Sequence, residues 1–152
     1  MSETTGVIGY TAGVWDQLHA GHIRLLMATK RLCDVLVVGV VSDHGTWSYK
    51  GHYPAESSQI RTKAIERLSF IDVVVPQKGT DPSENLERFR PDFMSHGSDW
   101  EQLKEGHETL ERLGIRFVTL PYTPGISSTI LREKRSAFIA LNGWPNVTSV
   151  TR

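Results

Sequence analysis

Two histidines three residues apart, His19 and His22, close the segment Gly13-Val-Trp-Asp-Gln-Leu-His-Ala-Gly-His22. Imidazoles at that spacing can point at the same phosphate. Gly13 permits a tight turn and close approach of phosphate to the backbone. Gly21 would start a helix whose free N–H groups and positive dipole end favour anions. The chemistry this suits is attack on the α-phosphorus of a nucleotide. Negative charge then builds on the equatorial oxygens and on the departing pyrophosphate, and preorganised donors stabilise that charge more than they stabilise the ground state. No covalent intermediate is required. An isolated H-x-G-H is a weak pattern that surface residues or an incidental metal pair also produce. Here it follows a strand, opens a helix and has a phosphate-like turn before it.

A second segment, Gly125-Ile-Ser-Ser-Thr-Ile-Leu-Arg132, follows a turn at Pro124-Gly125. Ser127 or Ser128 can cap a helix, whose hydroxyls and free N–H groups form another anion cradle. Arg132 lies one turn further and can fork onto a phosphate. Alone, the segment reads as an ordinary helix cap with a solvated basic tail. Paired with the first, it becomes the second half of a triphosphate site.

The elements that must position these residues alternate. Gly6 to Ala12 reads as a short strand, followed by a helix over Gly21–Leu32 with Ile23, Leu26 and Met27 on one face. Val35 to Val41 is a continuous apolar run dominated by β-branched valine, as expected of a strand buried on both faces. A helix over residues 58–69, a third strand from Ile71 to Val75 stopped by Pro76, and a helix over 83–90 ended by Pro91 come next. Phe93 and Met94 fall in a short fourth strand. A helix over 101–113 ends at Gly114, and Ile115 to Leu120 makes the fifth strand. Strands separated by helices imply parallel pairing with right-handed crossovers, hence an open α/β sheet. In such a sheet the first strand-to-helix turn lies at the carboxyl edge, where ligands bind. Trp47, Tyr49 and Lys50 lie in a stretch of about fifteen residues that reads as a loop and lid.

Bulk properties exclude several classes. The 152 residues suit one core, and 39% hydrophobic with 22% charged residues is an ordinary globular composition. Net charge is zero, so no global field steers the chain to nucleic acid or an anionic membrane, and neither is an expected partner. Cys33 is the only cysteine, which rules out an intrachain disulfide and suits a reducing compartment. The first residues lack a signal-peptide pattern, and no apolar run reaches the ~20 residues of a membrane span. A cytoplasmic location is the expectation. His44, His52 and His107 lack zinc-ligand spacing, His96 reads as a strand-end residue, and Glu105, Glu108, Glu111 and Arg112 read as a solvated helix face.

From about Gly9 to Arg132 the chain resembles the cytidylyltransferase-like nucleotidyltransferases, most closely the glycerol-3-phosphate cytidylyltransferase group. Gly13-Val-Trp-Asp16 looks like that group's G-T-F-D turn and His19-Ala-Gly-His22 like its H-x-G-H signature. His96-Gly-Ser-Asp-Trp100 looks like its G-D-D-W segment, whose second Asp and Trp help hold cytosine. Gly125-Ile-Ser-Ser-Thr129 looks like G-I-S-T-T, and Lys50, Arg61 and Asp72 fall on matching positions. The resemblance implies a Rossmann-like sheet ordered 3-2-1-4-5 in a nucleotidyltransferase domain over 1–136, with 137–152 an extension of unread role. It further implies a homodimer, Mg²⁺-CTP as donor and pyrophosphate as product. His19, His22 and Lys50 would be catalytic. Nucleotide contacts would come from Thr11, Ala12, Gly13, Val14, Trp15, Asp16 and Gly21, from Gly97, Asp99 and Trp100, and from Ile126, Ser127, Ser128, Thr129 and Arg132. Lys50, Arg61 and Tyr122 would be candidates for holding the acceptor.

The chain departs from the group at three places. Tyr122 stands where Arg usually precedes T-x-G-I-S-T, and Ser69 where Arg is frequent, which argues against glycerol 3-phosphate itself as acceptor. Phosphocholine, a phosphonate or a phosphorylated building block of a surface polymer is the alternative. The third departure, I-S-S-T-x-x-R, is common among adenylyltransferases of the superfamily, so ATP is the rival donor. A class I aminoacyl-tRNA synthetase fragment would need a K-M-S-K-S-like loop, which Thr123 to Arg135 does not supply. A catalytically idle nucleotide-binding module would not need His19, His22 and Lys50 intact.

Overall fold

The computed structural model describes residues 6–97 and 105–121. Asp99, Trp100, Tyr122, the segment 126–132 and the extension 137–152 lie outside them. Five strands alternate with helices: β1 (Ile8–Gly13), α1 (Ala20–Lys30), β2 (Val35–Val41), α2 (Asp43–Lys50), α3 (Ser58–Glu66), β3 (Val73–Gln77), α4 (Ser83–Phe89), β4 (Phe93–Gly97), α5 (His107–Leu113) and β5 (Arg116–Leu120). They form one parallel sheet of order 3-2-1-4-5, as the resemblance implied. Chain order reverses between β1 and β4, so their carboxyl ends diverge into a crevice.

β2 is buried along its length from Leu36, which explains its unbroken apolar sequence: helices cover both faces. Tyr10, Val37, Leu86, Met94 and Leu110 pack on one face. Trp15, Leu26, Leu36, Val38, Val40 and Ile65 pack on the other.

Two expectations about elements are corrected. The third strand runs through Pro76, which pairs with Val40 in register. β3 is the sheet edge, so a residue without an N–H costs no ladder bond on its outer side. The stretch after β2, read as a loop and lid, contains helix α2. Ser42 caps it by accepting from the Gly45 N–H at 2.9 Å, and Gly51 at φ 82 ends it in the left-handed conformation. Gly45 sits against the backbone of Lys78 and Gly79, and the Ser42 hydroxyl donates to Lys78 O at 2.6 Å, fixing α2 to the end of β3.

A buried polar chain crosses the first face. The Tyr10 hydroxyl donates to Gln77 Oε1 at 2.6 Å and accepts from Asn85 Nδ2 at 3.0 Å, while Asn85 Nδ2 also reaches Pro76 O. A Cβ at Gly39 would collide with that hydroxyl, which its two partners hold in place. Gly39→Ala should therefore cost about 1–3 kcal/mol by overpacking. Urea denaturation checks this, and the cost should shrink when the same substitution is made on a Tyr10→Phe background. An equal cost on both backgrounds would place the strain elsewhere.

Candidate active site

Where β1 ends, the chain turns through residues 14–19 before entering α1. Trp15 and Gln17 have φ 55 and 50, left-handed values that non-glycine residues seldom adopt. Such a turn persists only if its surroundings over-determine it. Trp15 is buried and its indole N–H donates to Gly39 O at 2.9 Å. The Asp16 carboxylate accepts from Ala55 N at 2.7 Å and Glu56 N at 3.0 Å, and Glu56 Oε1 in turn accepts from Gln17 N at 2.9 Å. The segment 51–57 is thereby strapped to the turn.

Arg61 completes the hold. Its side chain is 0% exposed and donates to Val14 O at 2.7 Å, Val41 O at 2.8 Å, Glu56 O at 2.9 Å and Asp43 Oδ1 at 2.6 Å. This corrects its candidacy as an acceptor ligand, because a guanidinium with no exposed surface and four internal acceptors positions the site without contacting a substrate. Trp15 and Asp16 likewise serve the turn through their side chains. Thr11 donates to Ser95 O at 2.9 Å inside the sheet, so its hydroxyl is also committed. The turn offers a ligand mainly its backbone and the α1 N-terminus.

The two histidines do face each other. His19 is the N-cap of α1, and its Nδ1 accepts from Gly21 N at 3.1 Å, while His22 Nδ1 accepts from His19 N at 3.2 Å. Their rings stack with centroids 3.7 Å apart and 20° between planes, and Trp15 meets His22 edge-on at 5.5 Å. Because each Nδ1 accepts a backbone N–H, each neutral ring carries its proton on Nε2. The pair is a reciprocal helix cap and, on the same geometry, two donors in register at a helix N-terminus. Burial pushes the His22 imidazole down to about 3, His19 and Lys50 push the same way, and Asp16 opposes them. His22 is therefore a neutral donor at pH 7.

Lys50 is exposed at the last residue of α2, and its charge is felt at His22. Helix α2, which follows the carboxyl end of β2, carries the lysine at its last residue. Gly97 ends β4 on the other side of β1. Asp72 belongs to the opposite edge: it accepts from Lys30 Nζ at 2.7 Å and Leu36 N at 2.8 Å, where β2 and β3 begin. Sequence reasoning missed Arg61's role as the central tie. The signal available for it was only that a cation falls in the first turn of a helix otherwise marked by apolar Ile60, Ala64 and Ile65. Among the described residues, no helix is long and apolar enough to cross a membrane.

The sequence model of the cytidylyltransferase-like family matches residues 10–134. The bifunctional protein HldE of Desulfatibacillum aliphaticivorans is 35% identical over 129 residues, covering 83% of this chain and 26% of that protein. Its counterpart from Rhodopseudomonas palustris strain HaA2 is 32% identical over 130 residues, covering 84% and 26%. The chain therefore spans about a quarter of the length of these curated relatives. Among solved structures, the lipopolysaccharide core biosynthesis protein of Thermoplasma volcanium GSS1 superposes with a TM-score of 0.65 at 27% identity, covering 78% of this chain and 98% of that one.

The neutral His22 makes stability depend on pH. The unfolded chain protonates this histidine near 6.5 and the folded chain only near 3, so the contribution is complete above 6.5 and is lost as pH falls through that window. Between pH 6.5 and 4.5 the loss attributable to His22 should approach 2–3 kcal/mol, roughly. Thermal or urea unfolding at pH 7.5, 5.5 and 4.5 tests this against His22→Asn, which should lose less. Equal acid sensitivity of the two proteins would mean that His22 titrates normally in the fold.

Proposed function

Because the chain belongs to the cytidylyltransferase-like family, we propose that it transfers a nucleotidyl group, as CMP from Mg²⁺-CTP, to a small phosphorylated or phosphonylated acceptor. An acceptor oxygen attacks the α-phosphorus, the α–β bridging bond breaks, and pyrophosphate leaves with the bond's electron pair. The observation that carries this reading is the stacked His19–His22 pair at the start of α1, with both Nδ1 atoms tied to backbone N–H groups. That tie fixes the tautomer, so the Nε2–H groups need no reorganisation as charge develops during transfer. A neutral donor also avoids the cost of a buried cation in the free protein. Lys50 supplies the positive charge from α2. The Mg²⁺ arrives with the triphosphate: Asp16, the acidic residue of the turn, uses both carboxylate oxygens on backbone N–H groups.

The reading of CTP rests on the resemblance of His96-Gly-Ser-Asp-Trp100 to a cytosine-holding segment. A second reading, ATP as donor, is favoured by Ile126-Ser-Ser-Thr-Ile-Leu-Arg132. Cytosine and adenine both present an amino donor, so pocket size must add to hydrogen bonding. The acceptor reading extends to phosphorylated building blocks of surface polymers, in line with the similarity to a lipopolysaccharide core biosynthesis protein. A homodimer and a cytoplasmic location complete the proposal.

Two measurements test it. His22→Ala should lower kcat by ~10²–10³ while weakening nucleotide binding much less, since its contribution grows in the transition state. Steady-state kinetics beside a nucleotide titration reads both, and near wild-type turnover would remove His22 from the mechanism. In the second, kcat/KM for CTP should exceed that for ATP five- to hundredfold, the range of about 1–3 kcal/mol for an unpaired buried acceptor, and Asp99→Ala should narrow the gap. A wild-type preference for ATP would replace the cytidylyl reading by the adenylyl one and leave the histidine chemistry standing.

A further inference from the structure

Four of the five large hydrophobic residues that stand exposed among the described residues are Trp47, Tyr49, Tyr53 and Ile60, gathered in α2, α3 and the segment between them. Three rings in this region are ordered against one another. His44 and Trp47 stack with centroids 6.0 Å apart at 19°, and Trp47 and Tyr53 with centroids 6.4 Å apart at 29°. At such distances the rings are offset, not superposed, so they make a shelf with open faces. Trp47 is 46% exposed and Tyr53 61%.

The shelf adjoins the segment that is strapped to the histidine turn. His44, Trp47 and Lys50 follow one another at three-residue spacing along α2, hence on one side of the helix. Lys50, the last of the stripe, is the cation that acts on His22. Tyr53 lies two residues before Ala55, whose N–H the Asp16 carboxylate holds against the histidine turn. The position within the sheet matters equally. Helix α2 follows β2, on the opposite side of β1 from β4, whose end leads to the segment read as base-holding. A ligand on the shelf would therefore lie on the β2 side of β1, away from β4.

We propose that His44, Trp47 and Tyr53 form the platform on which the carbon skeleton of a sugar or polyol phosphate lies, with its phosphate at Lys50. This rests on the nucleotidyl-transfer reading for the identification of the ligand as acceptor. A sugar ring presents a face of C–H groups that an indole or phenol face covers well, while its hydroxyls remain at the wet rim. A quaternary ammonium suits the shelf less. The Lys50 charge opposes it, and the nearby carboxylates Asp43 and Glu56 already face Arg61 and Gln17. Trp47 and Tyr53 act here as binding and specificity residues, since neither is placed at the reacting atoms.

Saturation-transfer NMR on the full chain tests the platform without requiring turnover, with glucose 1-phosphate, glycerol 3-phosphate and phosphocholine as probes. The ring C–H protons of glucose 1-phosphate should receive saturation from the wild-type protein. Trp47→Ala should weaken that binding about tenfold, as expected for an aromatic contact, and Trp47→Phe should restore most of it. In kinetic assays the same substitution should raise the acceptor KM and leave the nucleotide KM within about twofold. Both residues are exposed, so thermal unfolding should confirm an intact fold. Unchanged sugar-phosphate binding in Trp47→Ala, or preferred saturation of the phosphocholine methyl groups, overturns the platform. So does sedimentation showing that Trp47→Ala only splits a dimer, which would make the shelf a contact between two copies. Sugar-phosphate binding that depends on Trp47 without pyrophosphate release would instead sink the transfer reading and leave the platform in place.

Discussion

One buried cation organises the carboxyl edge of this sheet. Arg61 gives four hydrogen bonds to groups from four separate stretches of chain: the turn after β1, the end of β2, the first residue of α2 and the strap before α3. Three of its acceptors are backbone carbonyls, at places where the strands and loops meet. The ion pair with Asp43 offsets only part of the desolvation of the guanidinium, because Asp43 is itself partly exposed. What the arrangement provides is geometry. A charged, planar group with five donors spread over three nitrogens spans acceptors that the single nitrogen of a lysine cannot reach together. The positive φ values at Trp15 and Gln17 then become tolerable, because the turn is held from inside by Trp15 and from outside by Asp16 and Arg61.

The histidine pair depends on that turn. A residue at the N-cap usually caps with a hydroxyl or a carboxylate. Here the cap is an imidazole, and the residue three positions later returns the favour with a second imidazole. The capping bonds consume both Nδ1 atoms, and stacking at 3.7 Å makes protonation of both rings unfavourable. Helix start and tautomer are therefore settled by the same four atoms, while burial keeps His22 neutral. A serine cap would start the helix equally well and would leave no ring N–H at the anion end.

Much of this was legible in the sequence where local rules and tertiary demands agree. The β2 run Val35–Val41 has the same bounds in both, because only a strand covered on both faces carries seven such residues in succession. The H-x-G-H turn was readable because glycine placement, strand and helix start all point to one site. The errors have physical causes. Helix α2 has Gly45, Thr46 and two aromatic residues among its eight, weak helix formers with little apolar stripe, so composition suggests a loop. Its caps, Ser42 and Gly51, and the docking of Gly45 on Lys78–Gly79 override propensity. Pro76 looked like a stop because edge position is a property of the assembled sheet, which local sequence does not report. Arg61 looked like a ligand because a cation matched to a nucleotide-binding family suggests phosphate, and its burial depends on contacts up to 47 residues away.

The two sides of the crevice are built to different rules as a consequence. On the β1 side, the turn is fixed by partners within the protein, with Trp15, Asp16 and Arg61 each hydrogen-bonded internally. Substitution there disturbs strained backbone and buried charge together, so few alternatives are open. On the α2 side, the helix is anchored by Ser42, Asp43 and Gly45 at its start, while Trp47, Tyr49 and Lys50 project from its later turns with exposed surface. Those positions can change without reaching the core. The fold thus sets a turn held by internal hydrogen bonds beside a short helix whose later turns carry exposed side chains. Arg61 joins the two sides: it binds Val14 O of the turn and Asp43 of α2 through the same guanidinium, so the start of the helix and the histidine turn share one buried tie.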